Sequence, residues 1–164
     1  MLVSACLLEQ PVRYDGFACA VESHLLRQWA QQGLVVPFCP EVAAGLPVPR
    51  PAAEIRGKAG PAVLDGTGHV MTQAGEDLTE AFLRGASRAL EAAEASGARL
   101  AVLKEGSPSC GCHAIYDGSY AGVRIPGQGV TTALLERNGI AVFSEHELEG
   151  AAELLVQLER GEAL

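Results

Sequence analysis

Aromatic residues make up only 5% of this 164-residue chain, and cations are scarce: Lys+Arg number 12 against 20 Asp+Glu, a formal net charge of −8. Tight nonspecific binding to a large nucleic acid rests on neutralised phosphates, so no such partner is expected, although a small basic pocket is compatible with these counts. No long apolar run is present either. The first one, Met1–Leu8, is far too short to span a membrane and has no basic segment before it, so neither a membrane helix nor a secretory signal is read there. The four histidines (His24, His69, His113, His146) show no metal-ligand spacing, and a Ser-His-Asp arrangement is not indicated. Linkers, internal repeats and low-complexity blocks are missing, which leaves one domain over 1–164.

What the chain does have is apolar bulk and turn residues. Hydrophobic residues reach 48%, enough for a full core, and 19 glycines with 9 prolines supply many turns. There are five cysteines, Cys6, Cys19, Cys39, Cys110 and Cys112, an odd number at irregular spacing. In the reducing, cytoplasmic setting expected here, such residues are read as metal ligands, catalytic thiols or buried hydrophobes before disulfides.

Short apolar runs read as strands at Leu2–Leu8, Leu34–Phe38, Leu100–Leu103 and Ile140–Phe143. Helical spacing marks Val21–Gln32, where Leu25, Leu26 and Trp29 repeat, and Asp77–Ser96, where Leu78, Phe82, Ala86, Leu90 and Ala93 repeat. Two further helices are expected, one after Gly127–Thr132 and one over Glu147–Arg160. Ala62–Asp65 and His69–Thr72 predict a small hairpin across Gly66-Thr67-Gly68, and Ile115–Tyr120 a turn or short hairpin. The Gly45–Pro51 stretch is too proline-rich for helix or central strand. Strands alternating with helices predict a single α/β domain: three-layer, Rossmann-like, with a short, mostly parallel sheet and a small hairpin insertion.

Ligands of such sheets bind beyond the carboxyl ends of the strands. Cys6 closes the first strand, Cys39 the second, and Cys110 follows the third after a Gly-Ser-Pro-Ser turn. Any one of them is as well explained as a small buried hydrophobe. Three at equivalent strand ends point to a metal site with one open position, and spacing leaves zinc and iron–sulfur both open. Glu41, two residues beyond Cys39, is within reach of the same edge as a proton donor or acceptor, although a solvated surface carboxylate is the commoner fate of a single Glu. Ser107 and Ser109 bracket Pro108 and are candidates for holding a ligand or for turn-making. Cys19, expected at a helix start, reads as packing; Cys112 reads as a spare ligand or an incidental turn residue. Gly127-x-Gly129-x-x-Thr132 is a weak anion or carbonyl cradle.

Several blocks in fixed order then carry a resemblance. Val3-Ser4-Ala5-Cys6-Leu7-Leu8, Val12-Arg13-Tyr14-Asp15-Gly16, Val36-Pro37-Phe38-Cys39-Pro40-Glu41, Gly45–Pro51, Lys104–Gly111, Ile115–Gly118 and Gly129-Val130-Thr131 together resemble the TudS-type thiouracil desulfidase family from Val3 to Glu145. That resemblance implies a 4Fe–4S cluster held by Cys6, Cys39 and Cys110, an acid–base role for Glu41, and a serine from the Ser107-Pro108-Ser109 block, Ser107 favoured. The implied partner is a small thiolated nucleobase. With one iron left open as a Lewis acid for the thiocarbonyl sulfur, water would replace that sulfur and release sulfide without net redox change. Arg13 or Arg50 would help to read the ring if they point inward. Glu9-Gln10 departs from the family by standing where relatives usually have glycine. Two rivals stay open: a zinc-dependent hydrolase or deaminase acting on a nucleobase, and a noncatalytic iron–sulfur carrier or sensor.

Overall fold

A computed structural model of the chain describes residues 1–161; positions 162–164 of the expected single domain lie outside the described residues. The elements run β1 (Leu2–Ser4), a 3-10 turn (Ala5–Leu8), α1 (His24–Gln31), β2 (Val36–Phe38), α2 (Pro40–Ala43), β3 (Ala53–Arg56), α3 (Gly60–Leu64) and β4 (His69–Thr72). They continue with α4 (Thr79–Ala95), β5 (Leu100–Leu103), β6 (Ala114–Tyr116), β7 (Arg124–Pro126), α5 (Val130–Arg137), β8 (Ala141–Ser144) and α6 (Leu148–Glu159). Four strands pair in the order β2-β1-β5-β8, all parallel, with Leu2 opposite Val36 and Ala101, and Leu100 opposite Ala141. The chain leaves β1 toward β2 but leaves β5 toward β8. The sheet therefore has its switch point between β1 and β5, where a crevice opens.

Side-chain alternation sorts the two faces. Leu2, Ala101 and Leu103 pack with Ala89, Ala93 and Leu135 of α4 and α5. Val3, Leu100 and Val102 pack with Leu26, Trp29, Leu148 and Ala151 of α1 and α6. This is the expected three-layer α/β arrangement. A third cluster, with Ile55, Val63, Val70, Phe82 and Ile115, seats the antiparallel β3–β4 pair beside α4. Among the described residues no helix is long and apolar enough to cross a membrane.

Three local expectations are corrected. Ala62–Asp65 is not a strand: Gly60–Leu64 forms α3, with Pro61 in its first turn, and β4 pairs instead with Ala53–Arg56. Proline there presets a helical φ and needs no amide donor, which outweighs the apolar run Ala62–Leu64. The second hairpin is longer than expected, since β6 pairs with Arg124–Pro126. Cys19 does not start a helix. Ser23 caps α1 through the Leu25 amide, and Cys19 lies in the preceding loop, its N–H donating to the Cys6 carbonyl at 2.8 Å.

Glu9 is left-handed (φ 66°) where it ends the 3-10 turn, and its side chain is exposed. The steric penalty of that conformation falls on any residue with a Cβ. Glu9→Gly should therefore raise stability by about 0.5–1 kcal/mol after allowing for the greater freedom of glycine in the unfolded chain. A denaturation midpoint at or below that of the parent chain would show that the turn carries no strain.

Candidate active site

The three thiols expected at strand ends meet in space. Cys6 follows β1 in the 3-10 turn, Cys39 caps α2 immediately after β2, and Cys110 follows β5. All three line one cavity of about 480 Å³ at the carboxyl edge of the sheet, as do Glu41, Ser107, Arg13 and Arg50. Tyr14, Phe82, Tyr116 and Tyr120 supply much of the apolar wall.

Each thiol is difficult to ionise by itself. Burial, then Cys39 and Cys19, push the Cys6 thiol up to about 12. Burial, then Cys39 and Cys6, drive Cys110 well above the usual thiol range. Cys39 is also raised by burial, against which the Val42 amide at the start of α2 acts. Three thiols that oppose one another's ionisation are a donor set suited to a positive centre placed among them, because only the thiolate binds metal. Among the described residues, no three His, Cys, Asp or Glu side chains converge closely enough for a single metal ion. The three thiols share one cavity wall, and an all-thiolate donor set is the usual one for an iron–sulfur cluster. A further group, absent from the sequence reading, lines the same cavity: the Ser4 hydroxyl accepts the Lys104 N–H at 3.0 Å and acts against the upward shift of the Cys110 thiol. Its one signal in the sequence was a polar residue inside the apolar run Leu2–Leu8.

The loop bearing Cys110 is fixed from three sides. Glu105 folds back so that its carboxylate accepts N–H groups from Gly106, Cys112, His113 and Ala114 at 2.9–3.3 Å. Glu145 accepts the Glu105 amide at 2.7 Å and Lys104 Nζ at 2.5 Å. From the other side, the first amides of α5 donate to loop carbonyls: Val130 to Pro108, and Thr131 to Ser109, each at 2.9 Å. The Gly127–Thr132 segment is thus a carbonyl cradle for the chain's own loop, and it is not part of the cavity wall. Gly129 allows this approach, since a Cβ there would lie 2.3 Å from the Ser109 carbonyl oxygen.

The paired serines separate. Ser107 lines the cavity, and its Oγ accepts the Ser109 and Cys110 amides at 3.0 and 3.1 Å. With both lone pairs occupied, its hydroxyl hydrogen is left to donate. Ser109 is 1% exposed and shares a hydrogen bond of 2.9 Å with Thr131, away from the cavity. Cys112 also points elsewhere. Its thiol is raised by burial and then by Glu105, Glu147 and Glu145, not by the cavity thiols.

Glu41 is 15% exposed at its side chain and forms an ion pair with Arg50, whose own side chain is 5% exposed. Both hydrogen bonds, from Arg50 Nε at 2.8 Å and Nη2 at 2.6 Å, fall on Oε2.

The 2-thiouracil desulfurase family profile matches residues 1–147. The chain belongs to that family. It is similar to a solved structure of a [4Fe–4S]-dependent thiouracil desulfidase, TudS, with 50% identity and a TM-score of 0.87, covering 95% of this chain and 97% of that one. It is also 43% identical over 148 residues to an uncharacterised Bacillus subtilis protein, YbbK, a match spanning 90% of this chain and 97% of the relative. The family resemblance read from the ordered motif blocks is thereby established.

Glu105 is the clasp of this family member's third cysteine loop. Burial opposes its charge, but the Ala114, Gly106, His113 and Cys112 amides outweigh burial and hold its carboxyl below the ordinary 4.5. A carboxylate depressed in the folded state adds stability above its unfolded value and loses it as pH falls through the folded one. Glu105→Gln should lower unfolding free energy by about 2–3 kcal/mol at neutral pH, and the gap to the parent chain should narrow on acidification. Equal chemical-denaturation midpoints at pH 7 would remove Glu105 from this role.

Proposed function

We propose that this protein is a [4Fe–4S]-dependent desulfidase that converts a small thiolated pyrimidine, of the 2-thiouracil type, to its oxo form and releases sulfide. One observation carries the reading. Three thiols from three separate strand ends, a carboxylate and a hydroxyl donor face a single cavity, in a chain sharing 50% identity with a structure named for that activity. Cys6, Cys39 and Cys110 would hold the cluster. When bound, it supplies a Lewis-acidic iron with affinity for soft sulfur.

The remaining work falls to the chain. Replacing C=S by C=O consumes one water and releases two protons with sulfide, so no external electron is needed. Glu41 takes a proton from the attacking water and returns it to the departing sulfur. Ser107 donates its hydroxyl hydrogen to charge developing on the ring substituent. Ser109 contributes indirectly, by fixing the loop against α5. The aromatic wall suits a flat ring. Cavity size and the charge of −8 favour a free base or similarly small ligand over a long polyanion. Five free thiols fit a reducing, cytoplasmic compartment.

Anaerobically reconstituted protein should turn 2-thiouracil into uracil with one sulfide released per base, and should lose activity as air destroys the cluster. A fully loaded cluster that leaves every thiolated pyrimidine unchanged would transfer the chain to the carrier reading. Cys6→Ala, Cys39→Ala and Cys110→Ala should each lose bound iron, whereas Cys19→Ala and Cys112→Ala should retain it. Full iron content in Cys39→Ala would refute the ligand set. Glu41→Gln should keep the iron yet slow turnover about 100- to 10,000-fold, the usual range for a general acid–base group. Wild-type turnover in that variant would assign Glu41 to the wall alone.

A further inference from the structure

We propose that Arg50 is a positioning residue for this reaction: it orients the Glu41 carboxylate and ties it to the Pro11–Gly16 loop beside the cavity. The proposal rests on Glu41 being the proton-transfer group.

The guanidinium has no donor left for a substrate. Its five N–H groups have five acceptor contacts: Nε and Nη2 to Glu41 Oε2 at 2.8 and 2.6 Å, Nη1 and Nη2 to the Val12 carbonyl at 3.4 Å each, and Nη1 to the Pro47 carbonyl at 3.2 Å. Direct reading of the ring by Arg50, one of the options raised by the sequence, would require breaking this set. The side chain is nearly enclosed, at 5% exposed, so these bonds are not exchanged freely with water.

The same residue fastens the loop a second time. Its backbone N–H donates to the Tyr14 carbonyl at 2.8 Å, and Arg13 and Tyr14 of that loop line the cavity. Val12, Pro47 and Glu41 thus converge on the planar guanidinium, while Tyr14 is held by the backbone amide of the same residue. Both bonds to Glu41 fall on Oε2, and Oε1 has no hydrogen-bond partner among the described residues. One carboxylate oxygen is immobilised while the other is left to exchange a proton. A lysine ammonium keeps the charge but cannot present this planar fork to an oxygen and a carbonyl at once.

The test is a double-mutant cycle on iron-loaded protein, comparing Arg50→Lys, Glu41→Gln and the double variant. Arg50→Lys should load iron normally and lower kcat about 10- to 100-fold, the scale of a misplaced catalytic group, with a smaller change in KM. The double variant should be no slower than Glu41→Gln alone, because Arg50 acts through Glu41. Multiplicative losses, or a raised KM with kcat intact, would overturn the proposal in favour of an independent or substrate-binding role. Wild-type kinetics in Arg50→Lys would also overturn it. Failure of the underlying reading is a separate result: Glu41→Gln would then turn over like wild type. Should Arg50→Lys not fold, amide exchange in Glu41→Gln decides. Faster exchange at the Arg50 and Gly16 amides supports the coupling, and unchanged exchange overturns it.

Discussion

Three buried sulfur atoms share one cavity wall, where burial and neighbouring thiols oppose their ionisation, and much of the polar structure around them serves that arrangement. Burial is the first cause of the raised thiol at Cys6, Cys39 and Cys110 alike, and at Cys6 and Cys110 the other thiols add to it. Loops that present such groups cannot rely on water to hold them, because the backbone amides near them are also withdrawn from solvent. Carboxylates do the holding instead. Glu105 gathers the Cys110 loop, Glu145 supports Glu105, Glu54 accepts the Gly118 and Tyr120 amides at 2.9 and 3.1 Å, and Glu41 is locked to Arg50. Part of the acidic balance of the chain is therefore internal scaffolding and not a solvated surface charge.

Small residues serve the same end by permitting close approach. α4 presents Ala86, Ala89 and Ala93, each fully buried, to its neighbours. A Cβ at Gly85 would lie 2.5 Å from the Pro40 carbonyl oxygen, so α4 and α2 meet at a distance only glycine allows. That contact sets the short helix next to Cys39 and Glu41. Gly129 does the equivalent for the Ser109–Cys110 backbone. The few aromatic side chains are concentrated largely on the cavity wall, where Tyr14, Phe38, Phe82, Tyr116 and Tyr120 lie.

The family resemblance and the layered fold were legible because both depend on local patterns. Apolar strands, a 17-residue helix spaced by Phe82, Ala86 and Ala93, and ordered motif blocks survive without knowledge of contacts. The hairpin partner of β4 was misread because α3 and β3 compete for apolar residues of similar length, and periodicity cannot separate such short runs. The unequal serines could not be told apart either. Ser107 and Ser109 share a local environment in sequence, and Thr131, 22 residues away, is what turns one of them inward.

By itself, the sequence determined the alternation of strands and helices, the candidate thiols at strand ends, and the nearness of Glu41 to Cys39, since each is a relation between residues close along the chain. Only the tertiary structure decided that the Gly127–Thr132 cradle holds the chain's own loop, that Cys112 faces away from the other thiols, and that Arg50 is occupied by Glu41 and Val12. Those outcomes depend on which distant group reaches a donor or acceptor first. Competition of that kind is settled by packing, through separations of a few tenths of an ångström that no linear pattern records.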